Sequence, residues 1–115
     1  MTKREVLEKY IGAMQKGDNV ALADLFDDYG VLHDSSMIKS GADTLHLEGK
    51  MGVEMAFHYK FGMNRGPFKI TSVEYQDPDS VRYFISYGDR VYPVCAILSK
   101  INDKGLIERL NIYPL

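Results

Sequence analysis

The sequence predicts an α+β domain in which helices pack on one face of a strongly curved antiparallel sheet. Two observations carry this. Apolar residues recur at helical spacing through the first part of the chain, and from Phe68 the pattern changes to period two. The breaks between the late apolar runs, "QDPD", "GD" and "NDKG", are turn chemistry short enough for antiparallel hairpins.

The first element opens on "TKRE", which has the form of a capping box: Thr2 caps the first amides and Glu5 reaches back to the Thr2 N–H. Val6, Leu7, Tyr10, Ile11 and Met14 follow at helical spacing, and Gly17 suits the left-handed helix end. Asp18 caps a second short helix with Ala21, Leu22, Leu25 and Phe26 as its apolar residues. Asp27 and Asp28 oppose a helix C-terminus, so that helix should stop there.

Tyr29 to Asp34 then reads as a strand, "SSMIKSGADTL" as a crossing loop, and "HLEG" as a short strand leading into a third helix. That helix, over about residues 50–62, has an apolar arc broad enough to predict burial on more than one side. The runs "FKITSVEY", "SVRYFISY", "RVYPVCAILSKI" and "LIERLNIY" read as four strands. Pro93 inside the third of them predicts an edge position or a bulge.

Composition narrows the function classes. At 115 residues the chain is expected to form one domain, residues 1–115, and its 45% apolar and 26% charged content is that of an ordinary globular protein. A formal net charge of −2 with no basic stripe gives no electrostatic footing for nucleic acid. No run approaches the length of a membrane span, and "MTKREVLEKY" lacks the apolar stretch of a signal peptide. Cys95 is the only cysteine, so no internal disulfide forms; with no export signal, a reducing cytoplasm is expected. The three histidines have no ligand spacing and no phosphate loop or nucleophile elbow is present, so no metal and no cofactor is expected.

Alternation along the first strand puts Gly30, Leu32 and Asp34 on one face and Tyr29, Val31 and His33 on the other. If the Leu32 face lines a pocket, Asp34 enters an apolar site and is a candidate general base. The alternative is a strand-end aspartate that caps the following "SSM" turn. Tyr10, on the apolar stripe of the first helix, is either a core tyrosine or a hydroxyl aimed at that pocket.

The stretch "EKYIGAMQKGDNVALADLFDDYGVLHD", with "LEGKMGVEMAF" and "INDKGLIERLNIY", resembles the nuclear transport factor 2-like superfamily, of cystatin-like fold, in its SnoaL-like and ketosteroid isomerase-like branch. The resemblance implies a cone: three N-terminal helices and a curved sheet around an apolar pocket, with homodimers through the sheet. It places Tyr10 on the family's oxyanion tyrosine and Asp34 on its base, which move a proton beside a carbonyl. It places Ile97 where the isomerases carry a second acidic donor, a loss worth about 3–4 kcal/mol of transition-state stabilisation. Phe57 falls near a supporting tyrosine of some relatives, and a histidine-using dehydratase of the superfamily makes His58 a further catalytic candidate. Leu32, Met55, Phe57, Phe61, Cys95 and Ile97 are the expected ligand-binding residues. The expected function is a small-molecule pocket protein, either an isomerase, cyclase or dehydratase or a non-catalytic binder of an apolar ligand. A third alternative is a dimeric interaction module that works through its sheet face.

Overall fold

Helix α1 (Lys3–Lys16) starts where the capping box closes: Thr2 Oγ1 accepts from the Glu5 N–H at 3.2 Å, and the Glu5 carboxylate accepts from the Thr2 N–H at 3.0 Å. It ends at Gly17, in the left-handed region at φ 68°. The computed structural model describes residues 1–63 and 67–115. Asp18 accepts from the Ala21 N–H at 2.9 Å and opens α2 (Asn19–Ala23).

The second helix is shorter than its apolar pattern predicts. Phe26 was expected on it but instead opens strand β1 (Phe26–Asp34), buried opposite Ile107. The Leu25 carbonyl accepts from the Ile107 N–H at 2.8 Å, so pairing with the last strand captures this backbone from the helix. Gly30 makes that pairing possible. A Cβ there would lie 2.3 Å from the Ile107 carbonyl oxygen, so only glycine admits the approach.

A single-turn 3-10 helix (Ile38–Ser40) interrupts the crossing loop, then β2 (Leu45–Glu48) leads into α3 (Lys50–Met63). Strands β3 (Lys69–Gln76), β4 (Ser80–Tyr87), β5 (Arg90–Ile101) and β6 (Ile107–Pro114) follow within a residue or two of their predicted bounds. Among the described residues the six strands form one sheet in the order β2-β1-β6-β5-β4-β3. The fold is α+β, with the helices on one face. The four-strand meander is antiparallel throughout, but β1 lies parallel to β6, so the sheet is mixed where a wholly antiparallel one was expected. Tight turns dictate direction only for strands they join, and no such turn joins β1 to β6.

Pro93 lies where β5 runs past the end of β6, whose last pair is Val94 with Pro114. Its carbonyl accepts from the Leu115 N–H at 3.1 Å, on the side where no β6 residue needs its missing donor. The bulges fall elsewhere, in β1, β3 and the β5·β6 pair.

The core fills the concave side. Leu32, Leu110, Ile112, Val94, Ala96, Leu98, Val81, Tyr83 and Ile85 face the helical layer, which contributes Leu7, Tyr10, Met14, Val53, Phe57 and Phe61. Helix α3 buries one side rather than two. Val53, Phe57 and Phe61 face in, whereas Met51, Met55, Tyr59 and Met63, also spaced by four, face out. No helix of the described residues is long and apolar enough to cross a membrane.

Candidate functional site

The concave face brings Asp34 and three tyrosines into one neighbourhood. Tyr10 comes from α1, Tyr83 and Tyr87 from alternate positions of β4, and Asp34 from the end of β1. Tyr10 and Tyr83 are buried, and their hydroxyls stand 3.5 Å apart. Burial is the first reason that all three phenols hold their protons well above the ordinary phenol range; the nearby Asp34 charge pushes each further in the same direction. These hydroxyls are therefore neutral hydrogen-bond donors at neutral pH.

Asp34 makes the turn cap that its sequence position offered as one alternative. Its Oδ1 accepts from the Ser36 N–H at 2.8 Å and from the Ser36 hydroxyl at 2.5 Å, which makes it the cap of the "SSM" turn. Ser36 itself is buried. The carboxylate still lies on the Leu32 side of the strand, and its Oδ2 accepts no hydrogen bond from any described residue.

Sequence reasoning reads Tyr83 and Tyr87 only as meander tyrosines suited to a dimer interface or to the core, not as site residues. The available signal was their phase: they alternate with Val81 and Ile85 on the buried side of β4. From Tyr87 an aromatic series runs inward under α3. Tyr87, Phe68, Phe61 and Phe57 follow one another at ring-centroid distances of 4.7, 5.8 and 5.7 Å. Beside Tyr87 a cleft of about 270 Å³ is lined by Lys60, Met63, Phe68 and Tyr87.

Leu32, Phe57 and Phe61 therefore share the interior with Tyr10 and Asp34, and four other expected site residues do not. Cys95 is paired with Arg82 and Tyr113, and Ile97 with Ser80 and Asn111, which puts both on the convex face opposite Ala96. Ile97 thus does not stand where a second donor would meet Asp34, and Tyr83 brings a hydroxyl to Tyr10 instead. Met55 and His58 are exposed on α3, where they line an outer groove with Asn19, Val20, Glu54 and Tyr59. The physical reason is the helix phase: positions 55 and 58 fall off the stripe of Val53, Phe57 and Phe61. Burial also pushes the Cys95 thiol up, away from the reactive thiolate.

The convex face carries a different group. His33 and His46 are paired across β1 and β2, and their Nδ1 atoms are 3.0 Å apart. Glu48 Oε1 lies 3.3 Å from His46 Nε2. Among the described residues no cluster of three or more His, Cys, Asp or Glu side chains forms a metal cage.

Solved structures share this architecture at low sequence identity. A nuclear transport factor 2-like protein of unknown function from Burkholderia xenovorans superposes with a TM-score of 0.69 at 23% identity, covering 97% of this chain and 81% of its own. An uncharacterised cystatin-fold protein from Novosphingobium aromaticivorans gives a TM-score of 0.73 at 17% identity, covering 97% of both chains. The fold is nuclear transport factor 2-like. A protein of ketosteroid isomerase-like fold from Catenulispora acidiphila, in complex with trimethylamine, matches with a TM-score of 0.68 at 17% identity over 98% of this chain and 86% of its own. No family model matches the sequence, and no curated protein matches it. The nuclear transport factor 2-like cone accounts for the helical layer, the bent sheet and the concave face that Tyr10 and Asp34 share.

Proposed function

We propose that this nuclear transport factor 2-like cone binds a small carbonyl compound and moves a proton on it. The observation that carries the reading is the asymmetry of Asp34. Ser36 holds one carboxylate oxygen, the other accepts no hydrogen bond from a described residue, and the carboxylate lies near enough for its charge to act on Tyr10 and Tyr83. Asp34 Oδ2 takes a proton from the carbon beside the carbonyl, and the C–H electrons move toward the carbonyl oxygen. Tyr10 and Tyr83 donate to the developing enolate oxygen; on a β,γ-unsaturated carbonyl compound Asp34 returns the proton to the γ carbon as the double bond shifts into conjugation, and on a saturated ketone the proton exchanges with water before it returns to the same carbon. Tyr83 supplies the second donor that the resemblance sought at Ile97. The cleft at Lys60, Met63, Phe68 and Tyr87 is the entry in this reading.

The test follows deuterium loss beside the carbonyl of cyclohexanone by NMR. Wild-type protein accelerates the exchange, Asp34→Asn lowers the rate by about a hundredfold or more, and Tyr10→Phe lowers it less. Exchange that is unchanged in Asp34→Asn refutes the base assignment.

A second reading, non-catalytic binding, is favoured by one observation. A carboxylate among three tyrosines suits a small amine as well as a carbonyl, and the Catenulispora acidiphila protein of similar fold is in complex with trimethylamine. That reading predicts thermal stabilisation by trimethylamine that Asp34→Asn abolishes, with no exchange activity at any stage. Either reading carries a homodimer through the β4, β5 and β6 part of the convex sheet face, where Phe84, Val91, Tyr113 and Leu115 are exposed. Light scattering tests it: a mass of twice the 13.1 kDa chain is expected, and the mass of a single chain refutes the dimer.

A further inference from the structure

We propose that His33 and His46 form a two-imidazole site for a divalent transition-metal ion on the convex face, oriented by Glu48. The site is separate from the cone, because His33 points away from the Leu32 and Asp34 side of β1.

Three observations converge. The strand pairing places His33 directly opposite His46, and their Nδ1 atoms face each other at 3.0 Å. With metal–nitrogen bonds of about 2.0–2.1 Å, nitrogens at that spacing subtend roughly 90–95°, the angle of cis ligands in a square-planar or octahedral centre. Glu48 Oε1 sits 3.3 Å from His46 Nε2, on the far side of the ring. A carboxylate there fixes the proton on Nε2 and leaves the Nδ1 lone pair available on the His33 side, the arrangement that orients metal-binding histidines.

The protons can be placed so that both rings bind an ion. With His46 Nε2–H donating to Glu48, His46 Nδ1 accepts and His33 Nδ1–H donates to it. On metal binding the His33 proton moves to its Nε2, which has no partner among the described residues. Both Nδ1 lone pairs then meet the ion, both rings stay neutral, and water takes the remaining positions. The ion can reach the site because β2 is an edge strand and the His46 side chain is 43% exposed.

Copper(II) titrated into the full chain, followed by calorimetry and electron paramagnetic resonance, tests this. The expected result is one ion per chain with coupling to two imidazole nitrogens. His33→Ala and His46→Ala should each weaken binding at least tenfold and remove one nitrogen from the spectrum. Glu48→Gln should weaken it by about 10–100-fold, and His58→Ala should leave it unchanged. A wild-type spectrum with fewer than two coupled nitrogens overturns the proposal even if a variant misfolds. So does undiminished affinity in folded His33→Ala or His46→Ala.

Discussion

The hydroxyls of Tyr10 and Tyr83 stand 3.5 Å apart across the interior, although 73 residues separate them in the chain. Both side chains are buried, and among the described residues each hydroxyl has the other as its partner. Tyr83→Phe is expected to destabilise the fold by about 1–2 kcal/mol because it strands the Tyr10 hydroxyl. The Tyr10→Phe/Tyr83→Phe double variant should lose less than the sum of the singles, since no lone polar group is left behind. Urea unfolding of the four proteins measures this, and simple additivity would show that the pair is not coupled.

Alkaline pH should unfold the protein from a predictable direction. Burial, and then the Asp34 charge, raises the folded-state values of Tyr10, Tyr83 and Tyr87 above the ordinary 10.0. A raised phenol contributes stability that is complete below the unfolded value and is lost as pH climbs past it. Each such phenol then lowers unfolding free energy by about 1.4 kcal/mol per pH unit above that value. A spectrophotometric titration should therefore show three of the eight tyrosines ionising only with unfolding. Reversible titration of all eight in folded protein contradicts this.

The Asp34–Ser36 turn separates charge from hydrogen bonding. Asp34→Ala leaves the buried Ser36 hydroxyl without its acceptor and should cost about 1–3 kcal/mol. Asp34→Asn keeps an acceptor and should cost clearly less. Thermal melts of the two variants decide the order, and equal losses would mean that the turn does not depend on this contact.

Gly30 is the backbone contact on which the β1·β6 pairing depends. Gly30→Ala drives a Cβ against the Ile107 carbonyl and should cost about 3 kcal/mol, at the upper end of overpacking. Gly12→Ala, at a helical position with open space around it, should be neutral or stabilising by a few tenths of a kcal/mol. Denaturant midpoints of the two variants give the comparison.

Much of the site was legible in part. Alternation along β1 put Asp34 beside Leu32 and opposite His33, and the capping chemistry of "SSM" is the bond that Ser36 makes. In β5 it was the resemblance that misplaced residues: it set Cys95 and Ile97 in the pocket, and the strand register turns both outward. Val94, Cys95, Ala96, Ile97 and Leu98 are all apolar, so a period of two had no contrast with which to correct it. Helix α3 posed the same problem: its exposed Met51, Met55 and Met63 are as apolar as its buried residues.

By itself the sequence determined the local elements: where α1 starts and stops, where the hairpins turn, and which residues of β1 share a side. Those features rest on capping, turn and alternation chemistry that acts within a few residues. Only the tertiary structure decided that β6 lies beside β1, that Tyr83 rather than Ile97 meets Tyr10, and that His33 meets His46. Those are contacts between distant segments, set by strand order and register, and no local pattern in the chain encodes them.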